Sequence, residues 1–365
     1  MILTDEIRMR MRIAYALRNV PEEKLACLLP CSAFPQPGDM VLTRLETIGK
    51  NTHLELTDGR RATLHKDDLL AVVFGNRYAP LQFEGYARMR GDRCDLLSMG
   101  GLCGLFESKH DSVAEPSRLR LLGAFGDAEG QRLTLQSFAL PPPPQGPTRY
   151  PLLIAVCGTL MDAGKTHTAM SLIIGLRRHG YRVAAIKLTG TATGTDRWTM
   201  LDAGASEVLE FLDGGWPSTY LCTVEDLLDL SHLLLSHISA HGTDCTVIEI
   251  ADGLLQRETA ALLQTARFTR MIDAWVLAAS DPLGVVGALS LLRRWQIEPL
   301  AISGRVSMSA LNRQETEAAT GLPCLTAQQL QTGEIIAQRL KARQHLSLPL
   351  LSLPEENTAR GKENL

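Results

Sequence analysis

The stretch GTLMDAGKT, residues 158–166, holds the residues of this chain whose types and spacing point most directly to chemistry. It ends in Gly164, Lys165 and Thr166, follows the apolar run YPLLIAVCG and opens the helical pattern THTAMSLIIGLRRHG. Backbone N–H groups in such a turn wrap a phosphate at a helix N-terminus, where the helix dipole favours negative charge. The lysine reaches the β- and γ-phosphates, and the threonine hydroxyl binds Mg²⁺. The stretch therefore predicts a site for ATP, with GTP as the alternative, and Mg²⁺.

The spacing of this loop is unusual, since five residues separate Gly158 from Gly164 and one of them is Asp162. The pattern resembles GT-x-x-[DE]-x-GKT, the loop of dethiobiotin synthetases, which belong to a P-loop group with the cobyrinic acid amidases and the MinD-type ATPases. The resemblance implies that Asp162 lies near the phosphates and the metal. The expected nucleotide contacts are Gly158, Thr159, Asp162, Ala163, Gly164, Lys165, Thr166, His167 and, on the side of the base, Arg305. For His167 and Arg305, a solvated position is the alternative.

The resemblance continues at the ends of two later apolar runs. In YRVAAIK, Lys187 falls at the lysine that faces the reacting groups in the synthetases, and in CTVIEIADG, Glu249 falls at the glutamate that binds Mg²⁺. An aspartate contacts the metal in the family, and either Asp196 or Asp202 could be its counterpart, with Asp196 preferred. Ligands bind at the carboxyl ends of parallel strands. The expected catalytic residues are Lys165, Lys187 and Asp162, and the expected metal ligands are Thr166, Glu249 and Asp196.

The likeness covers about residues 151–325 and departs from the synthetases in two places. The family's EGAGG reads EIADG here, and LDAGASEVLEFLDGGWPSTY has no counterpart. The resemblance therefore implies the nucleotide half of the mechanism but not the diamine substrate. GYRVAAIKLTG is also similar to a strand of molybdopterin-guanine dinucleotide accessory proteins, although Leu188 stands where those proteins have histidine.

Candidate substrate contacts follow the same strands. The turn TGTATG offers Thr189, Gly190 and Thr191, whose hydroxyl and backbone groups suit an anionic substrate. Asp252 follows the Glu249 strand, and Asp281 ends the run AWVLAAS. The alternatives are an ordinary strand-to-helix loop for the turn and a helix N-cap for Asp281.

Positioning these residues requires an α/β domain, and the sequence predicts one after a proline-rich boundary. Apolar strands alternate with helical stretches over residues 152–345, which is typical of a mainly parallel sheet covered by helices. Before the proline-rich linker at 141–151, residues 1–140 show short β-like runs around turns, after a helical stretch to about Val20. We expect a small, β-rich, barrel-like N-terminal domain and a flexible tail at 346–365.

Composition limits the partners. The chain of 365 residues is 45% hydrophobic and 21% charged, which is typical of globular proteins, and its net charge of −3 favours neither nucleic acid nor an anionic membrane. The charged N-terminus lacks the apolar core of a signal peptide, and no run of 18 apolar residues occurs. We expect a cytoplasmic protein, and the resemblance implies a homodimer.

Two functions agree with these patterns. The first is a Mg²⁺-dependent enzyme, a kinase or ligase, that transfers the γ-phosphate of ATP to a carboxylate, carbamate or similar group of a small acidic metabolite. The alternative is a nucleotide-dependent switch or accessory protein whose N-terminal domain binds a protein partner. Leu160 stands where the MinD-type loop has its extra lysine, which favours the enzyme.

Overall fold

The computed structural model describes residues 2–31, 34–142 and 150–338 of the chain. These residues form two large sheets, a mostly antiparallel sheet followed by a six-stranded parallel sheet with helices, and one two-stranded sheet. The predicted fold class, a β-rich N-terminal domain before an α/β domain, is confirmed. Most of the predicted linker (143–149) and the whole predicted tail (346–365) lie outside the described residues. No helix within the described ranges is long and apolar enough to cross a membrane.

The N-terminal domain begins with helix α1 (Asp5–Arg10) and continues as strands. They are β1 (Met11–Ile13), β2 (Cys27–Leu29), β3 (Met40–Thr47), β4 (His53–Glu55), β5 (Arg61–Thr63), β6 (Leu69–Phe74), β7 (Phe83–Tyr86), β8 (Arg93–Leu96), β9 (Leu102–Lys109) and β10 (Ser117–Gly126). The sheet order is β1-β6-β3-β10-β8-β9-β7, and β6 also pairs with β9. This pairing closes a ring of five strands, so the sheet is a small barrel. Strands β4 and β5 form a separate hairpin.

Alternating burial explains the barrel. Along the first half of β10, buried and exposed residues alternate, and Leu119 and Leu121 face the inner cluster with Val72 and Phe74 of β6. Period-two alternation is the pattern of a strand with one buried face. The sequence predicted a helical stretch to about Val20, but the observed helix α1 ends at Arg10. The next residues, Met11–Ile13, pair with β6, and this strand pairing overrides the local helical pattern.

The C-terminal domain contains the parallel sheet. Its strands are β11 (Leu152–Gly158), β12 (Val183–Lys187), β13 (Val208–Glu210), β14 (Cys245–Glu249), β15 (Ala274–Ala278) and β16 (Ala301–Ser303), in the order β13-β12-β14-β11-β15-β16. Its helices are α2 (Lys165–Arg178), α3 (Thr195–Asp202), α4 (Val224–Ala240), α5 (Arg257–Gln264), α6 (Ala266–Thr269), α7 (Pro282–Arg294), α8 (Ala310–Thr320) and α9 (Ala327–Thr332). In β11, Ile154 and Val156 belong to one apolar cluster, whereas Leu153 and Ala155 belong to another. The sheet is therefore buried on both faces.

The two domains share a core and a buried ionic cluster. One apolar cluster includes Leu17 of the N-terminal segment and Phe211 of the C-terminal domain. Beside it, the Arg18 guanidinium lies 2.8 Å from Glu210 Oε1 and 2.7 Å from Asp213 Oδ1. The Tyr15 hydroxyl donates to Glu210 over 2.6 Å. These partners satisfy carboxylates that would otherwise be buried without a counter-charge, so the cluster fixes the N-terminal segment against β13.

We predict that Arg18→Met lowers the free energy of unfolding by about 3–5 kcal/mol, because it leaves two buried carboxylates without their cation. Chemical denaturation monitored by circular dichroism measures this loss. The matched control is Arg93→Met, since Arg93 makes the same kind of ion pair with Glu46 but is half exposed. Exposed pairs contribute little, so the control should unfold almost like the wild type. Equal losses in the two variants would contradict the proposed role of the buried cluster.

Candidate functional site

The predicted phosphate loop connects β11 to α2. Gly164 has a φ of 97°, a left-handed conformation that favours glycine, and a Cβ there would lie 3.0 Å from Gly304 Cα. A Cβ on Gly158 would lie 2.7 Å from Cγ of Lys165, so this glycine leaves space for the lysine stem. The ammonium of Lys165 donates to the carbonyl of Leu160 over 2.9 Å. The loop thus folds around its own lysine at the start of a 14-residue helix.

Four side chains from four different elements meet beside this loop. The hydroxyl of Thr166 lies 3.0 Å from Asp196 Oδ1 and 3.0 Å from Glu249 Oε1. The ammonium of Lys187 lies 2.6 Å from Asp196 Oδ2 and 2.6 Å from Glu249 Oε1. Lys187 and Glu249 are direct neighbours in the register of β12 and β14, both at the carboxyl ends of their strands. We call Thr166, Lys187, Asp196 and Glu249 the polar cluster.

Burial and the neighbouring charges act in opposite directions on the pKa values of this cluster. Burial acts to lower the pKa of Lys187, but Asp196 and Glu249 raise it above its usual value, so the lysine is a cation at neutral pH. Burial acts to raise the pKa of Asp196, and Lys187 nevertheless holds it below its usual value. Burial raises the pKa of Glu249, opposed by Lys187. Burial also lowers the pKa of Lys165. The lysines and carboxylates therefore depend on one another for their ionised forms.

The cluster fits Mg²⁺. Within the described residues, Oε2 of Glu249 is buried without a hydrogen-bond partner, so the carboxylate has an unused ligand position. No group of three or more His, Cys, Asp or Glu that could hold a metal occurs in the described part of the chain. Mg²⁺ does not require one, because it is commonly held by one or two carboxylates together with phosphate oxygens and water. Thr166, Asp196 and Glu249 would hold it.

A cavity of about 520 Å³ is bordered by the polar cluster and by six of the other predicted residues. The residues predicted from the sequence that line this cavity are Asp162, Gly164, Lys165, Thr166, His167, Lys187, Asp196, Glu249, Asp252 and Arg305. Gly158 and Ala163 are buried in the loop behind it, next to Thr159. The volume lies within the usual range of small-molecule and cofactor sites. Ten residues predicted from separate motifs thus border one space.

The remaining predicted residues lie elsewhere. Asp202 is the exposed last residue of α3 and does not border the cavity, whereas Asp196 in the first turn of the same helix does. Asp281 is the N-cap of α7 and accepts from the N–H of Gly284 over 2.7 Å, as the alternative interpretation proposed. Thr189 is buried and accepts a hydrogen bond from the N–H of Ala251. Gly190 and Thr191 line a small crevice beside Asp252. As substrate contacts, Thr189, Gly190, Thr191 and Asp281 stay predictions.

The N-terminal domain holds the loop that carries Asp196. The carboxylate of Glu55, at the end of β4, accepts from the N–H of Gly194 over 2.8 Å and from the hydroxyl of Thr193 over 3.2 Å. Gly194 is the N-cap of α3, so a carboxylate from the other domain satisfies this helix start. Ser98 donates to the carbonyl of Ala192 in the same loop. The sequence patterns did not reveal Glu55, because no local motif marks a contact 139 residues away.

A second barrel residue reaches the cavity itself. Gln82, in the loop between β6 and β7, borders the cavity together with Lys165 and Lys187. The sequence patterns gave Gln82 no function. Only the packing of the barrel on the α/β domain brings this amide to the site.

A parallel sheet, a Gly-Lys-Thr loop between strand and helix, and carboxylates at strand ends together define a C-terminal domain consistent with a P-loop NTPase. No family model matches the chain, and no curated protein matches it.

Two solved structures show limited similarity. A DUF1611 family protein from Anabaena variabilis has 15% identity and a TM-score of 0.38, over 59% of this chain and 65% of that chain. The 54 kDa signal recognition particle protein from Aeropyrum pernix K1, in complex with GDP, has 17% identity and a TM-score of 0.33, over 55% of this chain and 50% of that chain. This chain therefore spans less than two thirds of the length of either protein. Similarities of this size carry no argument about the site.

The carboxyl of Glu55 leads to a prediction about pH. Burial raises its pKa in the folded protein, although Gly194 and Thr193 act to lower it. A carboxyl whose folded pKa exceeds its unfolded pKa contributes stability that is complete below the unfolded pKa and is lost as pH rises through the folded pKa. Relative to Glu55→Gln, which does not titrate, the wild type should therefore gain free energy of unfolding as pH falls from 7 to about 4, the region of an ordinary glutamate pKa.

Urea denaturation of both proteins at several pH values measures this difference. Glu129→Gln is the control, because Glu129 is an exposed carboxylate in a turn of the barrel domain. A difference between wild type and Glu55→Gln that stays constant over the pH range would contradict the prediction.

Proposed function

We propose that the protein is a Mg²⁺-dependent enzyme, a kinase or ligase, that transfers the γ-phosphoryl group of ATP to an acidic group of a small metabolite. The observation that carries the proposal is the meeting of Thr166, Lys187, Asp196 and Glu249 beside the Gly-Lys-Thr loop. Phosphoryl transfer needs this combination, since its catalysis consists mostly of positioning and of neutralising charge on the phosphate oxygens. GTP is the alternative nucleotide.

Each side chain has a defined part in this proposal. The backbone of the loop binds the β-phosphate, and Lys165 reaches the β- and γ-phosphates once it leaves the carbonyl of Leu160. Thr166, Asp196 and Glu249 hold Mg²⁺, which offsets the charge of the phosphate oxygens when it is bound. Asp162, on the exposed rim of the loop, faces the phosphates and the metal.

Lys187 carries the second positive charge. Its ammonium bridges Asp196 and Glu249, the two carboxylates assigned to the metal. Asp196 and Glu249 would hold the metal, and the Lys187 ammonium beside them would serve the oxygens that join the γ-phosphate to the acceptor. Lys187 then stabilises charge that develops during transfer, a contribution that grows in a water-poor site.

A nucleotide-dependent switch is the second candidate, and one observation favours it. Glu55 and Ser98 of the N-terminal domain bind the loop that carries Asp196, so a change at the metal site would reach that domain directly. In this proposal hydrolysis drives a conformational cycle and the barrel binds a protein partner. The predicted homodimer and the cytoplasmic location belong to either proposal.

We predict that Lys165→Ala and Glu249→Gln both weaken Mg-ATP binding, by about tenfold or more, because each removes a charge-assisted contact to phosphate or metal. Isothermal titration calorimetry with and without Mg²⁺ separates the two effects. Lys165→Ala should weaken binding in both conditions, and Glu249→Gln mainly in the presence of the metal. Arg178→Ala is the control, since Arg178 lies at the far end of α2. Unchanged affinities in both site variants would show that the nucleotide binds elsewhere.

The enzyme and the switch differ in what stimulates phosphate release. If the protein is the proposed enzyme, we expect release of ADP or phosphate to depend on one small amino or carboxylic acid. Release is measured with Mg-ATP and with Mg-GTP. Tight nucleotide binding with slow hydrolysis that no small acid accelerates would contradict the enzyme and support the switch.

A further inference from the structure

Gln82 joins two cavities at the boundary of the domains. It borders the 520 Å³ cavity of the polar cluster and also a neighbouring cavity of about 230 Å³ in the barrel domain. The second cavity is lined by Tyr78, Glu84 and Lys109, among others. At roughly 30 Å³ for a water molecule in the liquid, 230 Å³ is the space of a small metabolite rather than of a nucleotide.

A buried cation fixes the orientation of Gln82. The Arg77 guanidinium is buried, donates to the carbonyl of Leu97 and donates over 3.0 Å to Oε1 of Gln82. A guanidinium can only donate, so the atom facing it must be the amide oxygen. The amide nitrogen of Gln82 is then the group left for the cavities, and within the described residues it has no acceptor. Gln82 therefore presents a hydrogen-bond donor next to the polar cluster.

Asp252 supplies the opposite chemistry in the same cavity. Its carboxylate borders both the main cavity and the crevice with Tyr78 and Tyr220, and it has no hydrogen-bond or ion-pair partner among the described residues. Burial raises its pKa, whereas Lys165, Lys187 and Arg77 lower it without touching it. The nearby Glu84, in contrast, accepts from Tyr86 and Ser108. Asp252 is thus a partly buried acceptor for which the described residues supply no donor.

We infer that Gln82 and Asp252 form the acceptor site of the proposed transferase, and that the acceptor is a small acid carrying an ammonium or another N–H donor. The inference rests on the proposed function. The acceptor's carboxylate receives a hydrogen bond from the Gln82 amide, and its N–H group binds Asp252. A bare carboxylic acid would bring only negative charge towards Asp252 and would bind less well.

The reaction balances without a proton transfer. A carboxylate oxygen of the acceptor attacks the γ-phosphorus, forming an oxygen–phosphorus bond, while the bond from the γ-phosphorus to its bridging oxygen breaks. ADP leaves with that electron pair, and the other product is an acyl phosphate. Asp252 and Gln82 orient the acceptor in this step, and Lys187 lies near the oxygens that change charge.

Hydroxylamine trapping tests the inference, because hydroxylamine converts an acyl phosphate to a hydroxamate. The full-length protein, Mg-ATP and hydroxylamine are combined with matched pairs of acids: aspartate and succinate, glutamate and glutarate, β-alanine and propionate. We expect at least one amino acid to give hydroxamate with a kcat/KM about tenfold or more above its match, the size expected for one charge-assisted contact. Asp252→Asn should remove about that factor for the amino acid and leave its match almost unchanged, whereas Gln82→Leu should raise KM for both.

The controls separate this inference from the proposed function. Asp92→Asn changes an exposed carboxylate of the barrel and should leave all rates unchanged. Equal hydroxamate formation from both members of every pair, or an unaltered Asp252→Asn, would overturn the inference and keep the transferase. Mg-ATP binding with no hydroxamate from any pair would overturn the inference and favour the switch. Failure of the wild type to bind Mg-ATP would overturn the proposed function itself.

Discussion

The contact on which the site depends is the pair of 2.6 Å ion pairs that Lys187 makes with Asp196 and Glu249. Two carboxylates this close and this buried repel each other unless a cation lies between them. The sheet register supplies it, because Lys187 and Glu249 are neighbours at the ends of β12 and β14. Carboxylates are also ligands that Mg²⁺ takes in proteins, so the arrangement that holds the two acidic groups together also suits a metal. Strand order and register therefore determine which charges meet at the site.

The N-terminal domain also helps to position the charged groups of the site. Asp196 reaches Lys187 only if the loop before α3 has one conformation, and Glu55 of the N-terminal domain binds that loop at Thr193 and Gly194. Arg18 forms an ion pair with Glu210 and so anchors the N-terminal segment. Glu210 lies in β13, directly beside Lys187 of β12 in the sheet register. The two domains therefore stabilise each other through groups that lie within a few residues of the site. A change in one domain has a direct physical route to the other.

The sequence predicted what local rules control. The apolar strands and their carboxyl ends predicted the positions of Lys187 and Glu249, and the Gly-Lys-Thr loop predicted the start of α2. These predictions succeed because buried strands and phosphate-binding loops are recognisable from short stretches of sequence. The rest depends on distant packing. Asp196 and Asp202 could not be separated until the start of α3 was known. Glu55 and Gln82 carry no motif, and the segment to Val20 has a helical pattern that pairing with β6 overrides.

Asp252 and Asp281 show why position after a strand does not decide function. Both are acidic residues that follow buried strands, and both were substrate candidates. Asp281 has its donor, the N–H of Gly284, so its charge is used to start α7. Asp252 is partly buried and feels the charges of Arg77, Lys165 and Lys187, yet no described residue donates to it. Burying a carboxylate without a partner is unfavourable, and a fold retains such a group where a ligand supplies the missing donor. We therefore assign Asp252, and not Asp281, to the proposed acceptor site because of its unpaired carboxylate, and not because of the motif around it.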